Sequence, residues 1–213
     1  MNNVAAIIPA YNEEATIGSV VSVMKQSPLV GEVIVVSDGS TDRTAEVARA
    51  SGARVIEQKN AGKGGALLRG IQETSAEILL FADADLRGFT PEHVAELLEP
   101  VLSGTRAMNV GLRDRGWLTP MTAHLPLISG ERALRRDVAE HVSARFFHGY
   151  MIESALNYSC RSRKLAYGTT VLHGLSIRRK FEKVGWPRAI VQYSKMSWQI
   201  GKSIVFVRLF HRF

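Results

Sequence analysis

The chain is short of several things, and each shortage excludes something. One cysteine, Cys160, in 213 residues rules out an intramolecular disulfide framework and fits a reducing compartment. No run of about 18 uncharged apolar residues occurs, so no membrane-spanning helix is expected. Met1-Asn2-Asn3-Val4 has no basic region leading into a long apolar stretch, so no secretory leader is expected. There is no internal repeat and no low-complexity segment. Acidic residues almost vanish late in the chain: residues 161–213 hold twelve Lys/Arg against one acid, Glu182. That is a balance of +11 where the whole chain is +7, so residues 1–160 carry −4. A basic tail suggests an anionic partner, whether a membrane surface, a nucleic acid or a phosphorylated acceptor. At 46% hydrophobic the chain can build one domain with a substantial core.

The first hundred residues alternate short apolar runs with helix-periodic segments. Val4–Pro9, Glu32–Ser37, Arg54–Glu57 and Ile78–Ala82 read as strands. Glu13–Gln26, Thr41–Ala50, Gly64–Thr74 and Pro91–Leu102 read as helices. Such alternation predicts an α/β fold with a mostly parallel central sheet and helices on both faces. Ligands of these sheets bind beyond the carboxyl ends of the strands. Ala107–Gly111 reads as another strand, Leu112–Pro126 as a loop, and 131–142 and 151–163 as helices. Ala166–His173 is a strand candidate, and Lys183–Phe213 looks largely helical.

Polar motifs stand at the strand ends. Phe81-Ala82-Asp83-Ala84-Asp85-Leu86 closes an apolar strand with two carboxylates one residue apart. On a continuing strand both would face one spot, at a cost unless a cation or donor neutralises them. A divalent ion carrying a diphosphate would do so; a solvated turn is the plainer alternative. Asp38, after the second strand, is placed to accept from a base or ribose, while Ser40, Thr41 and Asp42 fit an ordinary helix cap. Asn60-Ala61-Gly62-Lys63-Gly64-Gly65 opens a helix whose N-terminus favours an anion, with Lys63 as a mobile cation. The alternative is a glycine turn with a solvated lysine. The segment is neither G-x-x-x-x-G-K-[ST] nor G-x-G-x-x-G, which speaks against a P-loop kinase and a dinucleotide dehydrogenase.

In order, Ile7-Ile8-Pro9-Ala10-Tyr11-Asn12-Glu13-Glu14, Ser37–Asp42, Asn60–Gly65 and Ala82–Asp85 resemble the family 2 glycosyltransferases of the GT-A fold. The resemblance implies a nucleoside-diphosphate sugar as donor, UDP- or GDP-linked, and a divalent metal, Mn²⁺ or Mg²⁺. It implies that Pro9, Ala10, Tyr11 and Glu13 line the nucleoside pocket and that Asp38 contacts the base. Gly62 and Lys63 would lie near the donor, Asp83 near the ribose, and Asp85 on the metal. Ser37 stands where the family often has another Asp.

The second half is similar more loosely. Leu127–Arg136 looks like the acceptor-side segment of small bacterial members and of polyprenyl-phosphate glycosyltransferases, and Gly149-Tyr150-Met151-Ile152-Glu153 like their G-Y-x-x-E segment. By that likeness Glu153 faces sugar and acceptor, as base or orienter, and His173 ends a strand where relatives place a further metal ligand. Residues 1–182 then form the glycosyltransferase domain, with 1–104 the nucleotide-sugar half and 105–182 the acceptor half. Residues 183–213 form a basic amphipathic helical tail. Arg135 and Arg136 are candidates for an acceptor phosphate, or a solvated helix face. The tail is a candidate for peripheral membrane contact, or packs on protein.

The expected course is inverting transfer, with a lipid or polyprenyl phosphate as a candidate acceptor. The expected location is cytoplasmic, with the inner face of the cell membrane as an alternative. A homodimer is left open; no nucleic-acid motif is seen. A rival is retaining transfer: Asn12–Val21 and Gly62–Gly64 also look like glucosyl-3-phosphoglycerate synthases, against which the short second half argues. A second rival is a non-catalytic protein that binds nucleotide-sugar or membrane.

Overall fold

Parallel strands joined by helices dominate the computed structural model, which describes residues 3–114, 129–148 and 151–177. Strand β1 (Val4–Ala10) is followed by α1 (Ile17–Gln26), β2 (Glu32–Asp38), α2 (Thr44–Ala50), β3 (Arg54–Gln58), α3 (Gly62–Gln72) and β4 (Ile78–Phe81). Then come β5 (Leu86–Arg87), α4 (Pro91–Leu102), β6 (Met108–Arg113), β7 (Arg132–Arg135) and α5 (Arg136–Glu140). A 3₁₀ turn (Ala144–Phe146), α6 (Met151–Ser162), β8 (Tyr167–Leu172) and β9 (Ser176–Ile177) complete the described residues. The main sheet has the order β3-β2-β1-β4-β7-β6-β8, and β5 and β9 form a separate antiparallel ribbon.

Strand alternation divides the core between the two faces of the sheet. Val4, Ala6 and Ile8 of β1 pack with Ile17, Val20, Val21 and Met24 of α1 and with Val94, Leu97 and Leu98 of α4. Ala5 and Ile7 face the other way, among Leu67 and Ile71 of α3 and Ile152, Ala155 and Leu156 of α6. Helix α4 starts at its sequence-predicted residue because Thr90 and His93 form a reciprocal capping box ahead of Pro91.

Three expectations are corrected. The segment from Glu131 does not begin a helix. Arg132–Arg135 is a strand, antiparallel to both β4 (Phe81↔Arg132) and β6 (Val110↔Arg132), and only Arg136–Glu140 is helical. Glu, Arg, Ala and Leu are strong helix formers, but two flanking strands offer this stretch a full ladder of backbone hydrogen bonds. Second, β4 stops at Phe81, and Ala84-Asp85 is a turn, so strand alternation does not govern Asp83 and Asp85. Third, α1 begins at Ile17 rather than Glu13, because Glu13–Thr16 form a turn in which the Glu13 carbonyl accepts from Thr16 and Ile17. The loop expected over Leu112–Pro126 is described only to Asp114, where it is still strand to Arg113; the rest, and the tail from Lys183 on, lie outside the described residues.

The register places one edge of the sheet to work. β1, β2, β3, β4, β6 and β8 all point their carboxyl ends to it, and antiparallel β7 brings its amino end there.

Candidate active site

At that edge, side chains from separate motifs meet. Asp38 is buried at the end of β2, and its Oδ1 accepts from Gln58 Nε2 at 2.7 Å and from the Ala61 N–H at 2.8 Å. Both bonds go to one oxygen, so among the described residues Oδ2 has no hydrogen-bond donor and is the oxygen left to meet a ligand. Beside it, the chain after β1 is laced to the chain after β2. Asn12, in a left-handed conformation (φ 54°), accepts from the Thr41 N–H at 2.8 Å, and the Glu13 N–H donates to Thr44 Oγ1 at 2.8 Å. Asp42 accepts from the Thr44 N–H at 3.0 Å, but Ser40 and Thr41 serve this lacing rather than a helix cap. Pro9 and Ala10 end β1, Glu13 is buried, and Tyr11 is 52% exposed, a large aromatic open to solvent at the site's mouth.

Gly62 opens α3 with a left-handed φ of 76°, a conformation that suits glycine. That geometry starts the helix so that Lys63 Nζ reaches Asp83 Oδ1 at 2.6 Å and Glu153 Oε1 at 3.5 Å. Burial disfavours the ammonium, but Asp83 and Glu153 outweigh it and hold the Lys63 pKa above lysine's ordinary value. Lys63 is therefore no solvated turn residue. It is the hub joining the end of β4 to the start of α6. Glu153 is 4% exposed, and its Oε2 is buried with no hydrogen-bond partner among the described residues. A buried acceptor left in that state costs about 1–3 kcal/mol, a cost that a hydroxyl donor would remove.

Two residues at this edge were not singled out by sequence. Arg132 is 1% exposed and ties β7 to α6: its Nε donates to the Ser129 carbonyl at 2.8 Å, and its Nη1 to Asn157 Oδ1 at 3.0 Å and the Glu153 carbonyl at 3.3 Å. Burial pulls the Arg132 pKa down against the opposing pull of Glu153, though an arginine stays charged. Glu131 is fully buried and lies 3.5 Å from Arg113 Nη2. The available signal was an acidic and a basic residue side by side, Glu131-Arg132, at the start of a stretch expected as a helix.

Other predicted residues are not brought together. His173 is exposed, with Nδ1 2.7 Å from Asp114 Oδ2. Its carbonyl accepts from His93 Nε2 at 2.9 Å, which fixes the His93 tautomer, since His93 Nδ1 accepts from the Thr90 N–H. The β5–β9 register pairs Leu86 with Ile177, so His173 lies at the other end of that ribbon from Asp85. Among the described residues no three His, Cys, Asp or Glu side chains gather as a metal cluster. Asp85 and His173 thus stand at opposite ends of the ribbon, and the His173 imidazole bonds Asp114 through Nδ1. Arg135 and Arg136 are at the opposite edge. Arg135 grips Asp137 with both Nε and Nη2, at 2.9 and 2.8 Å, and Arg136 donates to the carbonyls of Ala76, Ile71 and Thr74. They line a cleft of about 360 Å³ there, away from the edge where Asp38, Lys63 and Asp83 gather.

The sequence profile described as Glycosyl transferase family 2 matches residues 5–157. The chain belongs to that family. This family 2 chain is 41% identical over 110 residues to the glucosyl-3-phosphoglycerate synthase of Mycolicibacterium smegmatis, covering 47% of this chain and 36% of that one. It is 30% identical over 128 residues to the undecaprenyl-phosphate 4-deoxy-4-formamido-L-arabinose transferase of Pseudomonas paraeruginosa, covering 54% of this chain and 38% of that one. It thus spans little more than a third of the length of these curated relatives. The family 2 fold superposes on the crystal structure of glucosyl-3-phosphoglycerate synthase from Mycobacterium tuberculosis in complex with Mn²⁺, UDP-glucose and phosphoglyceric acid. The TM-score is 0.79 with 31% identity, over 95% of this chain and 78% of that one. The second half is therefore not too short for that likeness.

Proposed function

We propose that this chain transfers a glycosyl group from a UDP-sugar to a phosphorylated acceptor with the help of a divalent ion. The observation that carries the reading is the Asp83–Lys63–Glu153 cluster at the same sheet edge as Asp38, with one Glu153 oxygen buried and unsatisfied. Asp38 Oδ2 accepts from the base, and Tyr11 offers a face to it. Asp83, already clamped by Lys63, meets the ribose. Glu153 accepts from a sugar or acceptor hydroxyl and orients it.

The donor set fits a divalent ion. Asp85 is a hard oxygen ligand in a half-buried turn, and Mg²⁺ or Mn²⁺ in nucleotide sites needs only one or two carboxylates besides the phosphates. When bound, the ion neutralises the charge that develops on the leaving nucleoside diphosphate. A ligand role for His173 would fall to Nε2, since Asp114 holds the other ring nitrogen, Nδ1.

The likeness to the mycobacterial synthases makes UDP-glucose the first donor to test and phosphoglyceric acid the first acceptor. It also favours retention of configuration over the inversion expected from sequence. The likeness to the undecaprenyl-phosphate enzyme supports a second reading, in which the acceptor is a lipid phosphate at the cytoplasmic membrane face. The deciding experiment incubates the chain with UDP-glucose or GDP-glucose, Mn²⁺ or Mg²⁺, and either 3-phosphoglycerate or polyprenyl phosphate. UDP release is followed, and the product anomer is assigned by NMR. Expected is metal-dependent UDP release that EDTA abolishes, Mn²⁺ restores, and Asp85→Ala lowers at least 100-fold. No release with either acceptor overturns the reading.

A further inference from the structure

The Ser129–Glu131 turn contains a proton count with one solution. Ser129 Oγ lies within hydrogen-bonding distance of two acceptors, the Gly111 carbonyl oxygen and Glu131 Oε2, the latter at 2.5 Å. A serine hydroxyl carries one proton, and a carbonyl has none to give. The Ser129 proton therefore goes to Gly111. The contact with Glu131 then needs a proton from the other side. Without it, a carboxylate oxygen and a hydroxyl lone pair face each other at 2.5 Å in a site shut off from water, an arrangement that costs energy. With it, 2.5 Å is an ordinary short O–H···O bond.

We propose that Glu131 is held as a neutral carboxylic acid whose O–H donates to Ser129, which donates to Gly111, and that this relay positions the turn on which Lys63 and Asp83 rest. The surroundings agree. The Glu131 side chain is fully buried, and its Oε1 has no hydrogen-bond partner. Asp83, beyond β4, opposes a charge on it, while Arg113 of β6, 3.5 Å from Oε1, Lys63 of α3 and the adjacent Arg132 of β7 favour one. Burial first, and Asp83 second, prevail and hold the Glu131 carboxyl above its ordinary range.

Two consequences bear on transfer. The Gly130 backbone lies against the ion pair: a β-carbon built there would overlap Lys63 Nζ and come within 2.5 Å of Asp83 Oδ1. The relay on one side and the Arg132 bond to the Ser129 carbonyl on the other thus set the height of that floor. The charge balance follows as well. Asp83 and Glu153 are offset by Lys63 and Arg132, and a neutral Glu131 leaves the Arg113 charge beside it uncancelled, which favours an incoming diphosphate. Glu131 acts through Ser129 and Gly130, so it is a positioning residue. That role rests on the glycosyl-transfer reading above; the protonation does not.

The test separates the two. Infrared spectra of the full chain at pH 7 are expected to contain the carbonyl band of a protonated carboxylic acid, shifted by ¹³C-glutamate labelling and missing in Glu131→Gln. In transfer assays Glu131→Gln, whose amide N–H replaces the O–H, is expected to keep kcat within about threefold. Glu131→Ala and Ser129→Ala are expected to lose kcat at least tenfold, with the donor KM moving less than threefold. A spectrum without a glutamic-acid band, or Glu131→Gln as impaired as Glu131→Ala, overturns the proposal. If the band is present but the unmodified chain transfers nothing, the neutral acid stands and the positioning role falls together with the transfer reading.

Discussion

Gly130 shows how a single missing methyl group decides where a charge sits. Its backbone meets the Lys63–Asp83 pair, so a β-carbon there would have to displace both the Lys63 ammonium and the Asp83 carboxylate. Gly130→Ala should therefore lower the thermal midpoint. Transfer should fall about 10- to 100-fold, because a misplacement of about 1 Å near the reacting groups has that effect. Thermal melts and kcat/KM of the purified variant check both, and an unchanged midpoint with unchanged kcat/KM would refute the contact. Cys160 offers a second prediction at this scale. Burial pushes its thiol up to about 11, with Arg132 and Arg163 pulling the other way. It should resist alkylation at pH 8 in the folded chain and react fully in denaturant, as mass spectrometry of the labelled protein will register.

At the scale of elements, what was legible depended on punctuation. Pro9, Asp38, Gly62 and the Asp83–Asp85 stretch break apolar runs cleanly, so four strands and the helices between them fall near their expected bounds. The candidate residues up to Asp85 lie at one sheet edge, although Asp83 and Asp85 follow β4 in coil and turn rather than on a continuing strand. Further on, the helix expected over 151–163 and the strand over Ala166–His173 are found as Met151–Ser162 and Tyr167–Leu172, but the helix expected from Glu131 fails for a physical reason. Arg132–Arg135 is built of helix-favouring residues, and its strand state exists only because β4 and β6 stand on both sides. The role of Arg132 was hidden with it. Arg132→Met should leave three oxygen acceptors buried, loosen α6 from β7 and lower stability by about 2–4 kcal/mol in denaturant titration. The β7–α5–α6 junction also has a pH signature. Asp137 is pushed down to about 2 by its bonds to Arg135 and, against the effect of burial, to Arg163. A depressed carboxyl stabilises above its unfolded value of 3.8 and loses that contribution as pH falls toward 2. Asp137→Asn should therefore be less stable at pH 7 by about 1 kcal/mol, since solvent screens this partly exposed pair. The gap to the parent should close between about pH 4 and 2 in thermal melts.

The molecule as a whole has two unlike edges. The carboxyl edge of the sheet gathers paired charges and buried oxygens without donors, a costly arrangement that a bound substrate relieves. The amino edge is satisfied: Arg136 binds the carbonyls of Ala76 and Thr74 at 2.6 Å each and that of Ile71 at 3.3 Å, tying α5 to the chain between α3 and β4. Arg136→Met should accordingly lower the thermal midpoint by about 5–15 °C without altering kcat/KM for the donor. A change in donor kinetics there would mean the edges are coupled.

The position of β7 also orders events in time. β4 and β6 never pair with each other; residues 132–135 fill the slot between them. A nascent chain that has emerged only as far as residue 104 carries β4 as a bare margin, with Leu79, Leu80 and Phe81 unguarded along it. That margin is closed only when a segment some fifty residues downstream has been synthesised and threaded into place. A fragment ending at residue 104 should aggregate during expression, whereas one extended through β7 has its most vulnerable strand covered.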